Sequence, residues 1–102
     1  MTREARHVHS DPLAVARLEA LVAALPNGAH VAVRLADDHE ITGIVAARPV
    51  LQQFFDAAGN EGSNAVLRLE SAAPHEPMGV RDVWLDEIVG IRDLGPPRQI
   101  HH

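Results

Sequence analysis

The chain has 102 residues and a formal net charge of −5, which predicts a single acidic domain near the lower limit of length for a self-contained core. All nine basic residues are arginine and there is no cysteine, which excludes lysine-dependent phosphate loops, Schiff bases, disulfides, thiol nucleophiles and cysteine metal sites. The acidic balance also argues against non-specific affinity for nucleic acid or an anionic membrane.

The N-terminal part of the chain predicts an arm followed by one helix. Residues 1–10 have no periodic pattern, so we expect a flexible N-terminal arm. Asp11 is a candidate helix cap and Pro12 suits the first helical position. A stripe of apolar residues at helical spacing follows, formed by Leu18, Leu21, Val22 and Leu25. The helix surface is rich in alanine, which leaves open whether the helix is covered on one side or on two.

Two strands joined by an acidic turn follow the helix. Residues 29–35 alternate between apolar and polar positions, residues 37–39 form the turn, and residues 40–48 form a second strand. Gly43 lies inside this second strand, where a missing side chain permits strong bending or a close backbone approach.

The next segment continues as a strand and then becomes a loop. Residues 50–56 are strand-like, and because Phe54 and Phe55 are adjacent they must face opposite sides. One of them enters the core and the other needs a cover, such as the helix or a partner chain. Residues 57–64 carry glycine, asparagine and serine and predict a loop.

Three further strands complete the domain. We predict them over residues 65–71, 80–84 and 88–94, with a loop at residues 72–79 and a C-terminal tail at residues 96–102. The predicted fold is therefore mainly β: an N-terminal helix and a five-stranded, strongly bent antiparallel small barrel, forming one domain over residues 11–95.

This pattern resembles the Sm-like family, in an uncharacterised bacterial branch. The resemblance covers most of the chain and depends on two motifs. The first is Val31-x-Val-x-Leu35, which leads through a turn into Ile41-x-Gly43-x-Val45, and the second is the closing strand at residues 88–94. It implies a small barrel that assembles into rings by strand pairing and binds single-stranded RNA through loop residues, as bacterial Hfq does.

The residues offer partial support for RNA binding. Candidate contacts to RNA or another anion are Arg34, Arg68, Arg92, Asn60 and Asn64. The loop at residues 57–64 has no aromatic side chain on which a base would stack, and residues 85–87, between the last two strands, are acidic and repel phosphate. Divergent single-stranded RNA binding is therefore the alternative prediction.

The first prediction is a non-enzymatic binding or assembly module that self-associates, with a dimer favoured over a ring and a protein partner of unknown identity. Its candidate interface residues are Phe54, Phe55 and Trp84. Residues 37–40 are the densest polar cluster, but a hairpin turn splays its side chains into water, so we predict a solvated turn. We predict no catalytic residue, cofactor or metal. The lack of cysteine and of a ~20-residue apolar run predicts a cytoplasmic protein that does not contact a membrane.

Overall fold

A computed structural model describes residues 3–72 and 79–95, and it contains one helix, seven strands and a short 3₁₀ turn in these ranges. The helix α1 spans Pro12–Ala23 and the 3₁₀ turn spans Leu85–Glu87. The strands are β1 His30–Leu35, β2 Glu40–Ala47, β3 Gln52–Phe55, β4 Glu61–Asn64, β5 Val66–Glu70, β6 Val80–Trp84 and β7 Ile88–Asp93. The predicted tail at residues 96–102 and most of the loop before β6 lie outside the described residues.

The helix begins at Pro12, directly after the predicted cap residue Asp11. Asp11 Oδ2 accepts hydrogen bonds from the backbone nitrogens of Leu13 and Ala14, at 3.1 and 3.2 Å, and these two N–H groups have no partner inside the helix. The predicted stripe faces the sheet, because Leu18 and Leu25 are buried and the other two members of the stripe pack against the core. Leu13 lies outside the stripe and is 82% exposed.

Five strands form one antiparallel sheet in the order β6-β5-β2-β1-β7. The long strand β2 joins its two halves, because residues 40–44 pair with β1 and residues 44–47 pair with β5. The backbone comes very close at Gly43, where a Cβ atom would lie 2.7 Å from the carbonyl oxygen of Glu70. The prediction that this glycine permits a close approach is confirmed, since any larger residue would push β5 away from β2.

The core lies between α1 and one face of this sheet. It is built from aliphatic side chains that alternate along the strands, and its fully buried members are Leu25, Val31, Val33, Val45, Leu67, Leu69, Leu85 and Ile88. Leu85 belongs to the 3₁₀ turn. Its backbone nitrogen donates a hydrogen bond of 2.8 Å to the carbonyl oxygen of Ala65. The turn is therefore tied to the sheet on which it closes.

The sequence prediction of five strands omitted a small second sheet. β3 and β4 pair as an antiparallel hairpin, from Gln52 opposite Asn64 to Phe55 opposite Glu61. The loop prediction for residues 57–64 is wrong in its second half, because residues 61–64 form β4. The polar composition of β4 hid it, since its stability comes from neighbouring strands and not from alternating apolar residues.

The described sheet is open and not a closed barrel. β6 and β7 are its two edge strands, and they are not paired with each other in residues 3–72 and 79–95. The predicted five main strands are present and β7 pairs with β1, but no closed barrel is formed by the described residues. The outer backbone groups of both edge strands therefore have no partner within the sheet.

Candidate functional site

The hairpin β3–β4 is held against the domain by the N-terminal segment, defined here as residues 3–9. The backbone nitrogen of Ala5 donates to Phe55 O at 3.0 Å, and Phe55 N donates to Arg3 O at 2.8 Å. Further along, His9 and Ser63 exchange two backbone hydrogen bonds of 3.0 and 2.7 Å. We expected a flexible arm here, and the structure instead shows the segment crossing both strands of the hairpin.

Two side chains add to this anchoring. His9 Nε2 lies 2.9 Å from Asp86 Oδ2, so the N-terminal segment also contacts the 3₁₀ turn. Asn64 is fully buried, and its Nδ2 donates to the carbonyl oxygen of His7 at 2.9 Å while its Oδ1 accepts from Ala65 N at 2.8 Å. The predicted RNA contact Asn64 is therefore a structural residue whose amide is satisfied inside the protein.

Asn60 is also engaged within the hairpin. The Asp56 carboxylate accepts hydrogen bonds from the backbone nitrogens of Ala58 and Asn60 and from the Asn60 side chain, at 3.0, 2.9 and 3.2 Å. These bonds stabilise the charged carboxylate, the Asn60 backbone bond most strongly, and lower the pKa of Asp56 below its ordinary value of 3.8. The loop is thereby preorganised as a tight turn.

The aromatic residues predicted as an interface largely contact each other. The rings of Phe54 and Trp84 meet edge to face, with centroids 5.2 Å apart and planes at 82°. Phe54 is only 7% exposed, and Trp84 and Phe55 are half-buried. The pair joins the hairpin to the end of β6, where Trp84 is half-buried.

The three predicted anion-contacting arginines lie on the outer face of the sheet, and each is close to a carboxylate. Arg68 makes two bonds to Asp82, at 3.0 and 3.3 Å, which lower the pKa of Asp82 and raise that of Arg68. Arg92 Nη2 lies 3.0 Å from a carboxylate oxygen of Glu40.

Arg34 lies 3.6 Å from a carboxylate oxygen of Asp38 and shares a face of the β1–β7 pair with Arg92, at a diagonal position. Arg68 lies on the other side of β2, so the structure does not gather the three into one patch. Exposed pairs of this kind contribute ~0–1 kcal/mol each.

The acidic turn before β2 is organised by its own side chains. His39 bonds to Asp37 through its ring, at 2.8 Å, and through its backbone nitrogen, at 3.1 Å, and the ring contact is the largest cause of a lowered pKa for Asp37. Both side chains are exposed, as expected for a solvated turn. No group of three or more metal-ligating side chains converges in the described parts of the chain.

A cleft that the sequence did not indicate lies beside the hairpin. It has a volume of about 430 Å³ and lies on the outer face of β5 and β6, next to the segment that links β2 to β3. We call it the arginine cleft, after the three arginines among its lining residues. Its lining includes Arg3, Arg48, Arg68, Asp82, Val50, Val66 and Phe54. No spacing in the sequence signals it, because Arg3 and Arg68 belong to segments that are far apart in the chain.

The features assembled above define a class of protein. An N-terminal helix, a five-stranded antiparallel sheet bent through its central strand, and a 3₁₀ turn between the last two strands are the features of a small Sm-like β domain. The crystal structure of XC5848 from Xanthomonas campestris, described as adopting a novel variant of the Sm-like motif, resembles this chain with a TM-score of 0.85. The two share 32% sequence identity over 92% of this chain and 99% of that chain.

The particular family follows from the sequence as a whole. The family described as "Domain of unknown function (DUF3247)" matches residues 2–94, and the chain belongs to this family. The predicted resemblance to a bacterial Sm-like branch is confirmed by these two similarities. Among curated proteins, none matches the chain. No helix in the described ranges is long and apolar enough to cross a membrane.

Proposed function

We propose that this chain is a non-enzymatic binding and assembly module that self-associates by strand addition, β7 of one copy pairing with β6 of the next. The observation that carries the proposal is that β6 and β7 are the two edges of the described sheet. Edge strands offer a row of unpaired N–H and C=O groups, and pairing with another chain is the usual way to satisfy them. The setting we propose is the cytoplasm.

Both edge strands have the length and surface that strand addition needs. β6 has five residues and β7 has six. Each carries an exposed large apolar residue, Val80 at 55% and Val89 at 40% exposure, which burial at an interface would remove from water. At the start of β7, Ile88 O accepts a hydrogen bond of 3.3 Å from Arg17 of α1, so we expect the pairing edge to begin after Ile88.

Charges select one register for this pairing. β6 contains Arg81 followed by Asp82, and β7 contains Arg92 followed by Asp93. In an antiparallel pair the two dipeptides run in opposite directions, so that Arg81 faces Asp93 of the second copy and Asp82 faces its Arg92. Opposite charges directly across a strand pair stabilise it by ~0.2–1 kcal/mol each.

The same register also matches the two faces of the sheet. Val83 of β6 pairs with Leu67 and Ile91 of β7 pairs with Val33, and both of these partners are fully buried core residues. Setting Val83 opposite Ile91 of the second copy therefore continues the apolar face from one sheet into the next. On the outer face, Gly90 then lies opposite Trp84, beside the side chain of Arg34.

Pairing a strand with its own copy lacks this match. In a symmetric β6–β6 pair that preserves the sheet faces, Arg81 or Asp82 lies opposite itself or opposite an uncharged residue, and like charges destabilise the pair. Pairing of β6 with β7 is head-to-tail, so it closes into a ring or continues as an open chain. The edge charges thus favour a ring, whereas the sequence favoured a dimer.

Divergent RNA binding is the alternative. It has less support from the site, because Arg34, Arg68 and Arg92 each lie beside a carboxylate, and phosphate would have to displace that partner. The two functions differ in their response to salt. RNA affinity falls steeply as salt rises because counterions are released on binding, whereas pairing that includes apolar surface is less sensitive.

The test is the solution mass, measured by light scattering after gel filtration at low and high salt. We expect a mass that is a multiple of the 11.0 kDa chain. Charge reversal by Arg81→Asp or Asp93→Arg should lower this mass, and combining the two reversals should restore it, because the swapped charges attract again. Glu61→Arg, an equal change in charge on the hairpin, is the matched control and should leave the mass unchanged.

Each result decides between interfaces. A single-chain mass at all concentrations overturns self-association, and a dimer that the charge reversals leave intact overturns the β6–β7 register. In parallel, a labelled oligouridine and a labelled oligoadenosine should show no saturable binding at low salt. Tight binding that weakens steeply with salt would support the RNA alternative.

A further inference from the structure

The arginine cleft carries an excess of positive charge within an acidic protein. Its lining residues include three arginines, Arg3, Arg48 and Arg68, and one acidic residue, Asp82. Asp82 is bonded to Arg68, so this pair is locally neutral. The side chains of Arg3 and Arg48 have no ion-pair or hydrogen-bond partner among residues 3–72 and 79–95. Two uncompensated charges thus face one cleft, although the chain as a whole carries −5.

Apolar surface lies beside these charges. Val50 is 62% exposed and Val66 is 39% exposed, and both line the cleft, together with the edge of Phe54. In the described residues, they are two of the five large hydrophobic side chains that remain exposed. An apolar wall next to unpaired guanidinium groups suits a ligand that has both an anionic group and an apolar body.

The backbone around the cleft is fixed from both ends. The backbone nitrogen of Arg48 donates to the side-chain oxygen of Asn27, just after α1, and Pro49 is buried. On the other side, Arg3 O accepts from Phe55 N at 2.8 Å, which ties the N-terminal segment to β3. The two uncompensated arginines therefore extend from anchored backbone, so less entropy is lost when they bind a ligand than in a free arm.

We propose that the arginine cleft binds a small organic phosphate, with the phosphate held by Arg3 and Arg48 and an apolar body lying against Val50 and Val66. Phosphate is the anionic group that fits best, because a guanidinium donates two parallel N–H bonds to its oxygens and several arginines can share them. A volume of about 430 Å³ accommodates a ligand of nucleotide size. This site shares Asp82 with the proposed edge pairing, but Arg3 and Arg48, which hold the phosphate, lie outside β6 and β7.

The protein contains its own reporter for this site. Trp84 is the only tryptophan and there is no tyrosine, so fluorescence excited in the near ultraviolet comes from Trp84. Its indole contacts the ring of Phe54, which lines the cleft. A ligand that enters the cleft should therefore change the Trp84 emission, whereas a ligand bound at the far side of the sheet should not.

The experiment is a calorimetric titration with phenyl phosphate, inorganic phosphate and phenol, followed by the same titrations read by Trp84 fluorescence. We expect phenyl phosphate to bind best, inorganic phosphate to bind more weakly, and phenol not to bind. Arg48→Gln and Arg3→Gln should each weaken phenyl phosphate binding about tenfold to a hundredfold, the usual loss for a charged hydrogen-bonding group. The matched control Arg6→Gln removes the same charge from the same N-terminal segment but outside the cleft lining, and it should leave the affinity unchanged.

The form of the apolar body is resolved by two further ligands. Adenosine monophosphate offers a flat base and hexyl phosphate a flexible chain, so their affinities relative to phenyl phosphate distinguish a nucleotide-like from a lipid-like occupant. Val50→Ser should reduce the advantage of phenyl phosphate over inorganic phosphate. The proposal is overturned if no phosphate compound binds up to about 10 mM, or if the two cleft variants bind as the control does. Arg81→Asp tests independence, because it should alter the assembly mass and not the affinity.

Discussion

Replacing Gly62 by alanine should detach the N-terminal segment from the hairpin. Gly62 lies in β4 beneath His9, and a Cβ atom built on it would lie 2.8 Å from His9 N and 2.9 Å from His9 O. Both atoms belong to the backbone, so no side-chain rotation relieves the contact. The segment must move outward by roughly 0.5 Å or more to regain ordinary packing distances.

The cost follows from the bonds that this movement lengthens. His9 and Ser63 exchange two backbone hydrogen bonds, at 3.0 and 2.7 Å, and each such bond contributes ~0.5–1.5 kcal/mol net. Their loss predicts a decrease of ~1–3 kcal/mol in the free energy of unfolding. The decrease cannot exceed the free energy with which the segment docks, because a detached segment no longer clashes.

The assay combines amide exchange with thermal unfolding. In Gly62→Ala, the amides of His9 and Ser63 should lose protection from exchange, and the melting temperature should fall by roughly 4–8 °C for each kcal/mol lost. Gly90→Ala is the matched control, because its Cβ would meet only the Arg34 side chain, at 3.5 Å. We expect this control to keep the protection at His9 and Ser63.

A chain that lacks residues 1–9 tests whether the effect of Gly62→Ala depends on the N-terminal segment. In that background Gly62→Ala has nothing to displace, so it should be neutral or slightly stabilising, as alanine in place of a strand glycine usually is. Unchanged protection of His9 in the full chain would refute the steric argument. If Gly62→Ala lowers the free energy of unfolding of the shortened chain as much as that of the full chain, Gly62 acts within the hairpin and not on the segment.

Three further substitutions or conditions test other parts of the structure. Gly43→Ala should lower the free energy of unfolding by ~1–3 kcal/mol, because the Cβ meets the carbonyl oxygen of Glu70 at 2.7 Å; an unchanged urea midpoint would contradict this. Leu85→Ala should cost ~2–5 kcal/mol in the same unfolding assay, because the side chain is fully buried, and a loss below that range would mean that the 3₁₀ turn collapses onto the space. The lowered pKa of Asp56 means that its contribution to hairpin stability is complete above pH 3.8 and is lost as pH falls through the lower folded-state value. A carboxyl titration by NMR should show this inflection below 3.8, with the Asn60 amide shifting in parallel, and an inflection at or above 3.8 would disprove the effect.

Some features of this chain follow from local sequence alone. Asp11 caps α1 and Pro12 begins it, because both effects operate within one helical turn. The alternation in β1 and in β5 identified their buried faces, since side chains on a strand point to opposite sides in turn. Gly43, a glycine inside an apolar strand, indicates strong bending or a close backbone approach, and the structure shows a close approach to Glu70.

The candidate site could not be predicted in the same way. The hairpin strand β4 has a glycine, a serine and an asparagine, and it forms because β3 and the N-terminal segment supply its hydrogen-bonding partners. Asn64 looked like a surface residue that reads a base, and its burial is possible only because His7 O accepts from its amide. Such partners are distant in sequence, so no local pattern reveals them.

The sequence by itself determined the helix, the five main strands and their buried faces, because these depend on periodicity and on interactions between near neighbours. The tertiary structure decided which charges remain available. The register of β5 and β6 sets Arg68 beside Asp82, whereas the folding of the N-terminal segment across the hairpin brings Arg3 to the cleft beside Arg48. The amino-acid composition does not distinguish these arginines from one another. Their neighbours in the folded structure decide which charge is neutralised and which is free to bind a ligand.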